Sequence, residues 1–362
     1  MNRKILFPLG SLVLLVILLI GLEIYLRLTT SYIVQGSNDG FLLTQSYPEA
    51  LIVDTPAGRR LVPNIKATIL NHYLSHQNTV IETNQLGFRD QDLGNDKRER
   101  DLRILALGDS ITLGDYLQAN QVYVERLEDY LNHFQSKKQI SVINAGVVDI
   151  GIKEEVAILQ EKGLGIKPDI VLVALYLNDS RPPWGFPQEV GHKGWLRRQS
   201  VLINRLYEGL IWREWIKQKG IDRFNWKGGE KLNWQQDRAA FLQFAKMAKY
   251  DWGAAWEEDS WPTVDEEFKK LHSLSQTNGF KVVVVAFPVI YQINSDFLEN
   301  TPQRILQQKT KDLGFYYIDL LPILRENRNQ DLYFDWAHPK EFANDLIGKY
   351  IADFFISSVL TE

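Results

Sequence analysis

From residue 101 onward, apolar runs of strand length alternate with stretches of helical period, and no other feature of the chain constrains its fold as tightly. The runs are "RILAL", "ISVINAG", "DIVLVALYLND", "KVVVVAF" and "FYYIDLL". Interleaved with them are "QVYVERLEDYLNHF", "KEEVAILQEKGLG", "VDEEFKKLHSLSQTNGF" and "TPQRILQQKTKDLG", with "PKEFANDLIGKYIADFFIS" as a last helix. Strands built of continuous Val, Ile and Leu have no face to give to water. They belong in a parallel sheet covered by helices on both sides, an α/β fold.

The rhythm breaks between residues 181 and 262, a stretch that holds nine of the ten Trp. Within it "SVLINRLYEGLIWREWIKQKG" has a Ser at the N-cap position, apolar residues at helical spacing and a Gly stop, and "QQDRAAFLQFAKMAKY" reads as a second helix. The segment is expected as a helical insertion over the sheet, packing its aromatic rings in a core, against a membrane surface or on a substrate. Upstream, residues 31–100 are of mixed character, with a turn at "DTPAGRRLVPN", a strand at "NTVIETN" and a charged linker, "GNDKRERD".

The N-terminus carries Arg3 and Lys4 followed by 18 uncharged residues from Ile5 to Leu22. With the residues just beyond, that run reaches the roughly 20 needed to cross a bilayer. A cleavable signal has a shorter apolar region and then a small-x-small site, which "LEIYLRLTT" does not offer. Residues 1–30 are therefore expected as a retained anchor, and the basic residues before the span predict an inside N-terminus with the body exported. The chain has no Cys, which excludes disulfides, thiolate catalysis and cysteine-held metal. A net charge of -4 gives no electrostatic reason to expect a nucleic-acid partner.

In an open α/β sheet, ligands bind beyond the carboxyl ends of the strands. Polar residues recur at those ends: Gly108-Asp109-Ser110, Asn144-Ala145-Gly146, Asn178-Asp179, and Asp335 with His338 before the terminal helix. A serine hydroxyl needs a base to take its proton and donors to hold the charge that develops, and these groups are of the types required.

These four blocks, in this order, resemble the SGNH (GDSL-type) hydrolase superfamily, in its membrane-anchored bacterial form. The resemblance covers roughly residues 101–358 and implies a flavodoxin-like three-layer α/β/α fold with a central parallel sheet, interrupted by the insertion at 181–262. It implies Ser110 as nucleophile, His338 as general base, Asp335 as its orienter, and an oxyanion hole from Ser110, Gly146 and Asn178. No cofactor or metal is implied. Tyr176 departs from the family pattern, which commonly has Gly there, and bears on substrate shape. The stretch "TNQLGFRDQD", with Asn84, Gly87 and Arg89, resembles a segment upstream of the first block in anchored relatives and is expected to pack structurally at the domain entrance. His72 and His76 have i, i+4 spacing but no intervening Glu in the metalloprotease pattern, and read as ordinary residues.

The implied activity is that of an exported serine esterase removing acyl groups, acetyl among them, from an envelope glycan or related carbohydrate. Passing the acyl group to a sugar hydroxyl, as an O-acyltransferase, would use the same residues. A catalytically silent glycan-binding or assembly protein on the same fold is the third reading, and the joint presence of Ser110, Asp335 and His338 argues against it.

Overall fold

The chain opens on helix α1 (Arg3–Thr29), whose Gly10–Thr29 stretch has a mean hydropathy of 2.3 and holds no fully buried residue. Its length and apolarity suffice to cross a membrane. The computed structural model describes residues 3–36, 42–45, 51–92, 97–98, 101–134, 139–181, 195–220 and 226–361. Trp184 and most of the charged linker fall outside them.

Directly after α1, β1 (Tyr32–Gly36) and β2 (Leu42–Gln45) begin an antiparallel sheet completed by β5 (Lys66–Leu70) and β6 (Thr79–Glu82), in the order β2-β1-β5-β6. Between them β3 (Ile52–Thr55) and β4 (Gly58–Leu61) form a hairpin around the Pro56-Ala57 turn. The sequence shows the turn and β6, and leaves the rest of this sheet unmarked.

The second half is built on β7 (Asp101–Gly108), β8 (Gln139–Asn144), β9 (Ile170–Tyr176), β10 (Lys281–Phe287) and β11 (Tyr316–Asp319). They pair in parallel in the order β8-β7-β9-β10-β11. Counted within the sheet this is 2-1-3-4-5, the flavodoxin-like doubly wound order, with its switch point between β7 and β9. All seven residues of β9 are buried, as are the six that follow Lys281 in β10.

Ser110 opens the one-turn helix α2 (Ser110–Leu113). Helices α3 (Tyr123–Phe134), α4 (Ile152–Glu161), α8 (Trp261–Asn278), α10 (Thr301–Asp312) and α12 (Glu341–Phe354) cover the sheet. α3 packs with α12, and α4 with α8. The chain reverses winding direction after β8, which puts these two pairs on opposite faces. Asn344 on α12 accepts the first N–H of α3, from Tyr123 (2.9 Å), and donates to Pro339 O (2.8 Å). One buried amide thus joins two helices and the loop that carries His338.

The Trp-rich segment is helical where described: α5 (Trp195–Gln199), α6 (Val201–Lys219) and α7 (Arg238–Met247). Ser200 caps α6 by accepting from the Ile203 N–H, and Gly220 ends it. Past α6, the rings of Trp226, Phe241, Phe244, Trp252 and Trp256 pack on one another and on Tyr291 of α9 (Ile290–Asn294). This part of the insertion therefore has a core of its own, continuous with the main one. The short α11 (Leu321–Glu326) follows β11.

Arg89 ties the N-terminal sheet to the α/β body. Its guanidinium is buried and donates to the carbonyls of Leu113 (2.7 Å), Gly114 (2.7 Å) and Leu117 (2.8 Å), at and just beyond the end of α2. Its own N–H reaches Asn144 O, 3.0 Å away at the end of β8. Asn84 shapes the preceding turn by accepting from the Leu86 and Phe88 N–H groups, with Gly87 at φ 76°. Replacing Arg89 with Met strands the carbonyls of Leu113 and Leu117, while Gly114 O keeps the Leu117 N–H (2.9 Å), and at about 1–3 kcal/mol for each buried orphan we expect a loss of at least ~2 kcal/mol in denaturant melts. Arg89→Lys should fall between the two, because an ammonium cannot span the fork's three acceptors equally. Unchanged melting in Arg89→Met would show that the clamp contributes nothing.

Candidate active site

Two glycines let the strand ends approach α2. A Cβ on Gly108 would lie 2.1 Å from Thr112 Oγ1, and one on Gly146 would lie 2.3 Å from Leu113 N. The chain therefore turns from β7 straight into α2, with the Asp109 side chain accepting from the Ile111 N–H at 2.9 Å. That turn leaves Ser110 at the carboxyl edge of the sheet beside the switch point.

His338 arrives there from the far end of the chain. Ser110 Oγ lies 3.0 Å from His338 Nε2, and His338 Nδ1 lies 2.9 Å from Asp335 Oδ2. Asp335 is itself fixed, since its Oδ1 accepts from the backbone N–H groups of Ala337 (2.8 Å) and His338 (2.9 Å). An ionised carboxylate only accepts, so it assigns the imidazole proton to Nδ1 and turns the Nε2 lone pair toward the serine hydroxyl. The structure thus brings Ser110, His338 and Asp335 into one hydrogen-bonded series, able to draw a proton from the hydroxyl onto the imidazole.

The electrostatics favour that use. Burial by itself lowers the His338 pKa, but the Asp335 carboxylate and the more distant Asp109 and Asp115 outweigh it, and the net displacement is upward from 6.5. Burial likewise raises the Asp335 pKa, and the imidazolium and the two backbone N–H groups overcome it, leaving it below the usual carboxylate range. Other carboxyls nearby behave in the opposite way. Burial pushes Asp109 up to about 6. Glu155 on α4, whose two oxygens have no hydrogen-bond partner among the described residues, is pushed far higher by burial and by Asp109, and Asp179 by burial, Glu155 and Asp109.

Of the expected oxyanion donors, the Ser110 N–H has no intramolecular acceptor among the described residues. Asn178 sits in the turn after β9, half-buried, its Oδ1 without a hydrogen-bond partner among the described residues. Asp179 holds that turn by accepting from the Tyr176 N–H at 2.5 Å. Gly146 departs from the expectation of a free donor: its N–H already donates to Asn144 Oδ1 at 3.0 Å. An Asn side chain readily closes such a turn two residues on, and here Asn144 Nδ2 also donates to Thr112 O at 2.7 Å.

Several neighbours carry no motif. Tyr116 sets its ring edge against His338 (5.1 Å between centroids) and Phe334 (5.7 Å), boxing the imidazole. No local pattern in the sequence connects it with His338. Behind it lies the buried His72, 6.2 Å from the Tyr116 ring and with Nε2 3.8 Å from Asp115 Oδ1, and Tyr73 stacks on His72 at 4.9 Å. On the other side Trp226 meets Trp336 edge-on at 4.9 Å, bringing the insertion's aromatic core against the Asp335–His338 loop. No group of His and carboxylate residues able to hold a metal is present among the described residues.

No protein-family model matches the chain, and no curated protein sequence matches it. Among solved structures it is similar to a two-domain esterase active on acetylated mannans, at 15% identity and TM-score 0.43 over 72% of this chain. The match spans 50% of that esterase. It is similar also to an acetyl xylan esterase at 15% identity and TM-score 0.40, covering 72% of this chain and 100% of the other. A variant of an acetyl xylan esterase from Geobacillus stearothermophilus matches at 16% identity and TM-score 0.42, covering 72% and 95%. Likenesses this distant assign no family, and the site is read from its own geometry.

The carboxylate's hold on the imidazole can be measured without substrate. Asp335→Asn removes the charge that raises the His338 pKa and leaves the burial that lowers it, so titration of the His338 ring by NMR should show a fall. A pKa unchanged or raised in Asp335→Asn would contradict the assignment.

Proposed function

We propose that the chain is a membrane-anchored serine ester hydrolase of the SGNH type, its body outside the cytoplasm, that removes acyl groups, acetyl among them, from an envelope glycan or related carbohydrate. The observation that carries this reading is the hydrogen-bonded series from Ser110 through His338 to Asp335 at the sheet's carboxyl edge. In this mechanism Ser110 Oγ attacks the ester carbonyl while His338 Nε2 takes its proton. The oxyanion is held by the Ser110 N–H and the Asn178 amide, and Gly146 joins them by sharing its N–H with Asn144. Collapse expels the sugar alkoxide, which receives the proton from His338, and leaves an acyl-serine. Water, deprotonated by the same imidazole, then attacks the acyl carbon and releases the acid.

Two features support the anchor and the carbohydrate. α1 has the length and apolarity of a membrane span. Tyr73 is 55% exposed and joined to His338 through the rings of His72 and Tyr116, so it offers a flat aromatic face near the site, suited to the apolar face of a sugar ring.

The test is acid release by the full-length protein in detergent from acetylated glycans and from a small activated acetate ester, with and without unacetylated sugar acceptors. Ser110→Ala should lose several orders of magnitude in turnover. Asn178→Ala should lose on the order of 10²-fold in kcat with a smaller change in KM, because its amide is used chiefly when charge develops. Full activity in Ser110→Ala would remove the mechanism, and acetyl transfer to the added sugar in place of acid release would make the protein a transferase.

A further inference from the structure

The end of α1 is locked to the start of α6. The Glu23 carboxylate accepts from Ser200 Oγ (2.8 Å) and from the N–H groups of Val201 (3.0 Å) and Leu202 (2.9 Å). Arg27, paired with Glu23 at 2.7 Å, donates to Gln199 O at 2.7 Å, and Arg205 donates to Ser31 O at 2.6 Å. Glu23 is the first charged residue after the 18-residue apolar run. A span of that length fills a bilayer's hydrocarbon core of about 30 Å, so these contacts fix the α5–α6 junction at the level where α1 leaves the lipid.

Around that junction the surface is apolar. Trp195 (66% exposed) and Leu196 (58%) on α5 and Leu206 (65%), Tyr207 (53%) and Leu210 (66%) on α6 face outward. The opposite side of α6 buries Val201, Asn204 and Trp215. A helix that is apolar on both sides and covered on only one lacks a partner for the other. The same segment is basic within an acidic chain: Arg197, Arg198, Arg205, Arg213, Lys217 and Lys219 stand against Glu208 and Glu214. Leu206, Leu210, Arg213 and Lys217 follow one another at helical spacing, so the apolar stripe runs on into cations.

We propose that the exposed face of α5–α6 lies in the interfacial region of the membrane that α1 spans, with Trp195, Leu196, Leu206, Tyr207 and Leu210 among the acyl-chain ends and the exposed Arg213, Lys217 and Lys219 on anionic headgroups. Trp and Tyr favour that depth, and Lys and Arg reach from it to phosphate. The α5–α6 arm then holds the body against the bilayer by a second attachment, independent of the span. The inference rests on reading α1 as a retained anchor, and its test keeps the two apart.

The chain has no Cys, so single nitroxide labels are unambiguous. Full-length protein carrying a label at Leu206→Cys, Leu210→Cys, Ile17→Cys or Gln276→Cys is reconstituted in nanodiscs of phosphatidylcholine with a minority of phosphatidylglycerol. Collision with oxygen and with a water-soluble nickel chelate then reports depth. Ile17 on α1 is the lipid reference and Gln276, exposed on α8, the aqueous one. The proposal expects the labels at 206 and 210 to show an oxygen-to-nickel accessibility ratio several-fold above that at 276. Aqueous readings at 206 and 210 with a lipid reading at 17 overturn it and leave the anchor standing. An aqueous reading at 17 as well overturns both. Shielding at 206 and 210 accompanied by spin–spin broadening that grows with protein per disc would assign the face to a second copy and overturn the lipid reading.

Discussion

The hydrogen bond from Ser110 to His338 joins side chains 228 positions apart, and most of the architecture can be understood as what holds those two atoms at 3.0 Å. Each end is clamped. Ser110 is fixed by Gly108 and Gly146, which let the strand ends press on α2, and by Arg89, which reaches from the N-terminal region to the carbonyls beyond that helix. His338 is fixed by Asp335, by the ring of Tyr116 and by Asn344, which ties its loop to α3 and α12. A misplacement of about 1 Å in such a pair can cost 10²-fold in rate, so the supports matter as much as the reacting groups.

Charge at the site is sorted by environment. Asp335 receives two backbone N–H groups and an imidazole, and is held ionised against its own burial. Glu155 and Asp179 lack such donors in sufficient number, and burial drives them toward the neutral form. Several carboxyls stand near His338, and Asp335 is the one that meets the ring, with surroundings that pay for its ionisation, so that the imidazole is polarised along that contact. A further full charge among the buried carboxyls would raise the His338 pKa and leave less of the free base that the mechanism needs.

Much of this was legible before any coordinates. Continuous apolar runs such as "KVVVVAF" fit only a sheet covered on both faces, and the polar residues after each strand marked the working edge. The N-terminal sheet was not legible beyond β6. Its strands are four or five residues long, too short for the alternation in "KATIL" to stand out, and their pairing is set by tertiary contact. Gly146 illustrates a second limit. Its place after β8 is visible in the sequence, but the capture of its N–H by Asn144 depends on how one side chain rotates. The Tyr116–His338 and Trp226–Trp336 ring contacts were likewise beyond reach, because each joins residues that no local pattern connects.

The central claim is that the imidazole activates this one hydroxyl. It is tested most directly by following the rate at which a serine-directed fluorophosphonate adds to the full-length protein, with the adduct located by peptide mass spectrometry. The account predicts one adduct, on Ser110, forming orders of magnitude more slowly in His338→Ala although the hydroxyl is still present. An adduct on another residue, or an equal rate without the imidazole, would contradict it.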